Sequence, residues 1–403
     1  MKHMKRFAVL MLVCTLAAGN ALALSIFSQA KEEDTVTVTK EEYAIIEKYR
    51  RLEEVYSIID QMYLWEYDET ELLEGAARGM LGALADDYTF YYTPSEMQVE
   101  NETLTGEYGG LGIEVFPNMK DDTITIKRVF YGGPSQQAGI RPADKIIGVN
   151  GEEMRAMDIN DAVKIMRGEI GGKVTLTLLR DQEVFEVELE RALVETQIIH
   201  SEMLEDGIAY ARIYYFEGNL MGQFMEAVDQ FMAEDAQGII IDLRENPGGL
   251  VNLAIELADV FLGQQPIMFT EDKYGRQLSY YGRDGAWEIP VVVMVDAHSA
   301  SASEITAAAL QENGVAKIVG VQTFGKGIMQ SVYPFNTDGA GLQITSDYWL
   351  TPQGNKIHEE GITPDVEVEL AEDAVDDTYT FIREKDNQLQ TAVETLKEMI
   401  KDR

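Results

Sequence analysis

Residues 296–330 read DAHSASASEITAAALQENGVAKIVGVQTFGKGIMQ, and the apolar run Val291–Val295 stands immediately before them. Ser299, Ser301 and Ser303 alternate with alanines, Glu304–Glu312 has the composition of a helix, and Lys317–Val321 reads as a strand. Strand, small-residue elbow, helix, strand is a crossover unit. Upstream the same alternation is visible. Ile208–Tyr214 reads as a strand, Asn219–Ala233 as a helix, Gly238–Leu243 as a buried strand and Leu250–Leu262 as a helix after the turn Arg244–Gly249. The spacing predicts a largely parallel α/β core. Downstream, Gly327–Phe335 and Leu342–Leu350 predict a hairpin across Asn336–Gly341, and a helix is expected over Thr378–Lys401.

A serine hydroxyl becomes a nucleophile when a general base lies within hydrogen-bond reach and backbone N–H groups wait for the oxyanion. The chain has four histidines, His3, His200, His298 and His358. His298 stands three residues before Ser301, too close for an obvious triad partner, and no G-x-S-x-G elbow exists. Lys326, framed by Gly325 and Gly327, is the better base. An ordinary lysine is protonated at neutral pH; burial lowers its pKa toward the useful range, which asks for a dry site nearly free of carboxylates. Phe324, Ile328 and Met329 offer apolar neighbours. Gln330 adds a neutral amide, and strand alternation would put Lys326, Ile328 and Gln330 on one face.

Residues 96–191 form a unit of another kind. Gly109–Val115 is a glycine-rich turn entering a strand, and Thr123–Val129 alternates as a strand does. A short helix over Gln136–Ala138 stops at Gly139, and a strand closes on the turn Asn150-Gly151. Asp158 is the expected N-cap of a helix over Asp158–Met166. A hairpin over Asp181-Gln182 joins Lys173–Arg180 to Val184–Glu190.

This region resembles a PDZ domain. The resemblance implies that Gly110, Leu111, Gly112 and Ile113 form the turn whose backbone receives a peptide's terminal carboxylate, while the adjoining strand edge accepts the peptide. Residues 299–330, with Asp242–Gly249, closely resemble the C-terminal processing (tail-specific) serine peptidases. The family's "SASASE…TFGKG..Q" pattern implies Ser301 as nucleophile, Lys326 as base and Gln330 as assisting amide. Its "LR.NPGG" turn falls on Leu243–Gly249 and implies oxyanion donors from the backbone of Gly248 or Gly249 and of Ala302. Ser299 and Ser303 are then flanking structural serines. The block Thr351-Pro352 through Gly361–Asp365 matches as well, so the resemblance covers roughly residues 70–370.

The expected fold is a mixed α/β multidomain chain: a crotonase/ClpP-like α/β protease core with an inserted PDZ domain and flanking helical segments. The expected boundaries are 1–30, signal peptide or membrane anchor; 31–93, N-terminal helical region; 94–191, PDZ domain; 192–370, protease core; and 371–403, C-terminal helical tail. Helices over 41–65 and 71–85 carry apolar residues such as Tyr43, Ile46, Tyr49, Leu52 and Leu72 at helical spacing. With the C-terminal helix, they suggest a homodimer.

Lys2, Lys5 and Arg6 precede the uncharged run Phe7–Phe27, and both Ala21-Leu22-Ala23 and Ser28-Gln29-Ala30 offer small residues for cleavage. A cleaved signal and an uncleaved membrane anchor both fit, and either puts the body outside the cytoplasm. Cys14, the one cysteine, lies in that run, so no structural disulfide forms. The 70 acidic and 33 basic residues argue against nucleic acid and anionic lipid as partners. The expected activity is endopeptidase hydrolysis near the C-termini of protein or peptide substrates, with no cofactor. The alternatives are an inactive PDZ adaptor and a crotonase-like acyl-transfer enzyme.

Overall fold

The computed structural model describes residues 37–376 and 380–403. The leader with Cys14, the start of the expected N-terminal region 31–93 and the first residues of the expected helix at Thr378 lie outside the described residues. No helix among the described residues is long and apolar enough to cross a membrane.

The chain divides into two units, residues 1–71 and 72–403. In the first, the helix Lys40–Met62 begins at Thr39, whose hydroxyl accepts from Glu42 N while the Glu42 carboxylate takes the Thr39 N–H. This reciprocal cap satisfies two donors that a helix start leaves open. Tyr56 donates to Glu69 at 2.9 Å and Tyr67 to Asp60 at 3.0 Å, folding the following loop back on the helix. The next helix spans Glu69–Gly82. Neither helix buries a residue, and Ile46, Leu52, Val55 and Ile58 stay exposed.

In the second unit, the central sheet orders the strands Ile199–Met203, Ile208–Ile213, Gly238–Asp242, Val291–Val295, Ala316–Gly320 and Val366–Glu367. All neighbours pair in parallel except the first, which is antiparallel. Strand alternation gives each face its own cover. Ile239, Ile241, Val291, Val293 and Val295 pack with the helices Leu220–Ala233, Val251–Leu262 and Ala302–Glu312. Ile240, Val292 and Met294 face Leu389, Ala392 and Leu396 of the C-terminal helix. Strands buried on both faces read as continuous apolar runs, as Val291–Val295 does.

The expected start of the tail helix needs correction. The helix spans Asn387–Lys401, capped by the Asp386 carboxylate on Leu389 N. A 3-10 turn, Arg383–Lys385, precedes it. Its Leu389, Ala392 and Leu396 are spent on the sheet. A second sheet joins Phe90–Tyr92, Gly341–Leu350, Pro266–Asp272 and Gln277–Tyr281, with Ile328–Pro334 also paired to Gly341–Leu350.

The PDZ-like part orders Ile113–Asn118, Thr123–Val129, Lys145–Val149, Lys173–Arg180 and Glu183–Glu190 around Ile124, Ile126, Ile146, Leu176 and Leu178. Asp181 and Gln182 both have positive φ, the twist a two-residue hairpin turn needs. Asp158 stands at the N-cap of the helix Ile159–Met166, as expected, but makes no side-chain capping bond there; its carboxylate accepts from Arg155 N at 2.9 Å. Ahead of this part lies a helix, Pro94–Thr105, with Thr93 and Glu96 as a reciprocal cap.

Candidate active site

The site lies where the parallel strands end. The turn Leu243–Gly249 follows Gly238–Asp242, the serine elbow follows Val291–Val295, and Val321–Gly327 follows Ala316–Gly320. In open α/β sheets that edge is the binding edge.

The structure separates the three serines. Ser299 and Ser303 are fully buried, and their hydroxyls donate to Leu243 O and Asn246 O at 2.8 and 2.9 Å. With Ala300 N on Asn246 O, they stitch the elbow to the Arg244–Gly249 turn. Ser301 is half-buried and holds φ 54°, ψ −111° at the helix start. A non-glycine residue in that region is strained.

Gly248 is required by this packing. At φ 100°, a Cβ there would stand 2.9 Å from Ser301 Cβ and 2.9 Å from Ala302 N. The Gly248 N–H donates to Asn246 Oδ1 at 2.9 Å. The N–H groups of Gly249 and Ala302 have no protein acceptor among the described residues. A side chain at Gly249 would strike Phe216 O, against which that backbone runs.

Glu304 was not foreseen as part of the site, and it organises the centre. It is fully buried, and its Oε2 accepts from both Ser301 N at 2.8 Å and Lys326 N at 2.9 Å. Its Oε1 accepts from Gly325 N at 2.7 Å and Thr323 Oγ1 at 2.5 Å. One carboxylate therefore joins the backbone of Ser301 to that of Lys326. The signal was present in the sequence: Ser301-x-x-Glu304 is a capping-box spacing.

The lysine's own backbone is clamped elsewhere. Trp349 Nε1 donates to Lys326 O at 2.8 Å, and Glu359 N to Gly325 O at 2.8 Å. Gly325 and Gly327 are glycines because the segment Glu359–Gly361 and His358 press against them.

Lys326 is half-buried, and burial pushes its amine below the ordinary lysine value. Asp86 and then Glu304 pull the other way. The sequence reading asked for a site nearly free of carboxylates, and the structure corrects it, since Asp86 and Glu304 both act on the amine. Glu304 is tolerated because every oxygen is occupied by donors. Phe324 is exposed, while Ile328 is buried and the Tyr88 ring centroid lies 4.5 Å from Lys326 Nζ.

Lys326 precedes the strand Ile328–Pro334, so strand alternation does not extend to it. Gln330 Nε2 donates to Thr345 Oγ1 at 3.4 Å. No hydrogen bond among the described residues joins Ser301 to Lys326 through their side chains. His298 is exposed, and His200 sits beside Glu202 on the edge strand.

In the PDZ-like part, Gly110 ends a strand paired to Ala192, Leu111 is buried in the domain core, and Gly112 turns at φ 74° into Ile113. Beside them opens a groove of about 350 Å³, lined by Leu111, Ile113, Val163, Arg167, Tyr215 and Glu217.

Comparison with known proteins settles the family. Residues 207–368 match peptidase family S41, residues 12–95 the N-terminal domain of the activating protease CtpB, and residues 102–179 the PDZ domain. Over 407 residues the chain is 32% identical to the carboxy-terminal processing protease CtpA of Bacillus subtilis (strain 168), covering 99% of this chain and 85% of that protein. The chain belongs to the S41 carboxy-terminal processing proteases.

A second relative, the "Probable CtpA-like serine protease" of Staphylococcus aureus (strain COL), is 31% identical over 85% of this chain and 70% of its own. A solved photosystem II D1 C-terminal processing protease shares the fold at a TM-score of 0.51 and 23% identity, covering 84% of this chain and 95% of that one. This S41 protease is therefore a serine-type hydrolase with a mixed α/β fold and a PDZ domain, and the crossover pattern read from Val291 to Val321 is the core of that fold.

Proposed function

We propose that the protease cleaves peptide bonds near the C-termini of exported proteins, with Ser301 as nucleophile and Lys326 as base. The observation that carries this reading is the shared Glu304 oxygen, which holds the backbone of both residues to one point beside a lysine that burial has made more acidic. Neutral Lys326 Nζ takes the Ser301 hydroxyl proton as Oγ attacks the scissile carbonyl carbon. The oxyanion is received by Ala302 N–H together with Gly249 N–H, or with Gly248 N–H if it leaves Asn246. The ammonium then returns the proton to the departing amine, and water, activated the same way, releases the acyl group.

Gln330, tethered to Thr345 at rest, is assigned to orienting the amine. Since no side-chain hydrogen bond links Ser301 and Lys326, the pair closes up on substrate binding, as is common for catalytic hydrogen bonds in free enzymes. The turn Gly110–Ile113 is assigned to the substrate's terminal carboxylate. The leader is assigned to export, and the exposed apolar residues of Lys40–Met62 to a second copy of the chain.

Ser301→Ala and Lys326→Ala should each abolish hydrolysis of a tailed protein while leaving the thermal melt unchanged. Full activity in either variant would reject the assignment.

A further inference from the structure

The turn Asp86–Thr89 lies before the PDZ part in the chain and outside the residues that match peptidase family S41. It nevertheless closes over the lysine. The Tyr88 ring covers Lys326 Nζ at 4.5 Å from its centroid. The Asp86 carboxylate is fixed by Tyr88 N at 3.0 Å, by the Thr89 hydroxyl at 2.6 Å and by the Thr345 hydroxyl. Thr345 N in turn donates to Thr89 Oγ1 at 3.0 Å, and Gln343 Nε2 to Tyr88 O at 3.2 Å. Phe90–Tyr92 then pairs with the strand Gly341–Leu350, which also holds the strand of Gln330. The turn is therefore sewn to the same framework that carries Lys326 and Gln330.

Three elements place ionisable groups around this lysine. The turn supplies Asp86 and Tyr88, the serine helix supplies Glu304, and the segment after Trp349 brings His358 against neighbouring Gly327. Glu304 spends both oxygens on four donors within the frame. Asp86 is the carboxylate with the largest pull on the amine. Burial alone would raise the Asp86 carboxyl, but its hydrogen bonds outweigh that and keep it ionised. An aromatic face also favours the ammonium over the neutral amine.

We propose that Asp86 and Tyr88 are positioning residues for Lys326, holding its ammonium in place between turnovers and governing how readily it gives up its proton. The inference rests on the Ser301–Lys326 reading. Burial makes the neutral base available, while the carboxylate and the ring stop the amine from losing proton affinity altogether. A base with too little affinity cannot draw a proton from serine, so both influences are needed.

The test uses the full chain and a short unstructured fluorogenic peptide, with kcat and KM measured across pH. Asp86→Asn and Tyr88→Leu remove stabilisation of the charged lysine, so the acid limb of kcat/KM moves to lower pH in each. The variant-to-parent ratio should rise at least about threefold from about pH 9 to about pH 6, with KM changed less than about twofold. Tyr88→Phe keeps the ring and should retain the parent profile. Ratios that are flat with pH for Asp86→Asn and Tyr88→Leu overturn the inference. If Asp86→Asn does not fold, the Tyr88→Leu and Tyr88→Phe pair decides. Lys326→Met separates the two readings: retained activity rejects the base assignment itself, whereas an inactive Lys326→Met beside flat ratios rejects only the role of the turn.

Discussion

Glu304, itself fully buried, satisfies four donors with two oxygens. A glutamine of the same shape has one acceptor oxygen and turns an NH2 toward N–H groups. Glu304→Gln therefore leaves buried donors unpaired, which costs about 2–3 kcal/mol. It also releases the Ser301 and Lys326 backbones from each other, and small misplacements of reacting groups cost about 10²-fold. Both losses are expected, in a melting curve and in peptide hydrolysis; a variant with parental activity would remove Glu304 from the site. Gly248→Ala makes a sharper prediction. Its Cβ has no room beside Ser301 Cβ and Ala302 N, and φ 100° strains any side chain. Activity should fall at least about 10²-fold through displaced oxyanion donors, with a smaller effect on melting. At this scale spacing and resemblance pointed to Ser301, Lys326 and the Gly248-Gly249 turn as candidates, and the structure brings them to one edge of the sheet. Glu304 was not legible, because a capping box looks the same whether it starts an ordinary helix or also holds a distant loop.

The parallel strands and their helices were legible because burial on both faces writes an unbroken apolar run. Their observed ends fall within one or two residues of expectation. What sequence left out was the link from this core to the C-terminal helix. Arg244, 1% exposed, pairs with Asp242 at 2.6 Å and with Asp386, the N-cap of the C-terminal helix, at 2.8 Å. It also donates to Gln388 at 3.1 Å and lies 3.9 Å from the Phe381 ring centroid. The arginine that opens the Arg244–Gly249 turn is thus anchored by a segment 142 residues later. Local periodicity carries no trace of such a long-range pair. Asp386→Asn breaks it and leaves Arg244 short of one countercharge, at a cost of about 3 kcal/mol. Chemical denaturation should show that loss, and limited proteolysis should release residues 387–401 from the variant first. Equal protection of the helix in both proteins would mean that Leu389, Ala392 and Leu396 hold it unaided. The Arg244–Asp242 pair predicts acid sensitivity. Burial raises the Asp242 carboxyl, yet Arg244 outweighs it and leaves the group below its ordinary value. Its contribution is present above the unfolded value and is lost as pH falls through the folded one.

Across the molecule, the PDZ groove is lined in part by the protease core, through Tyr215 and Glu217. The PDZ fold was readable from its turns, but not that a core acid stands in its groove, since no spacing rule links residues 110 and 217. Burial pushes the Glu217 carboxyl up to about 7; Arg167 and Arg128 draw it down, while Glu114 and Glu100 add repulsion. Two consequences follow from the sign. Between the ordinary carboxyl range and about pH 7 the folded state holds this proton more tightly than the unfolded chain, so stability falls as pH rises across that window. In the same window the groove gains a negative charge beside the turn assigned to a tail's carboxylate. KM for a tailed protein should therefore rise as pH passes about 7, while KM for a short peptide lacking a tail should not. Glu217→Gln stays neutral, so its KM for the tailed substrate should be low and flat with pH. Bulky replacements at Gly112, where φ 74° and the nearby Gly133 backbone leave little room, should raise KM for the tailed substrate at every pH. A tailed-substrate KM that climbs equally in parent and Glu217→Gln would show that the groove's pH response lies with another group, and one that stays flat in both would separate tail binding from this groove.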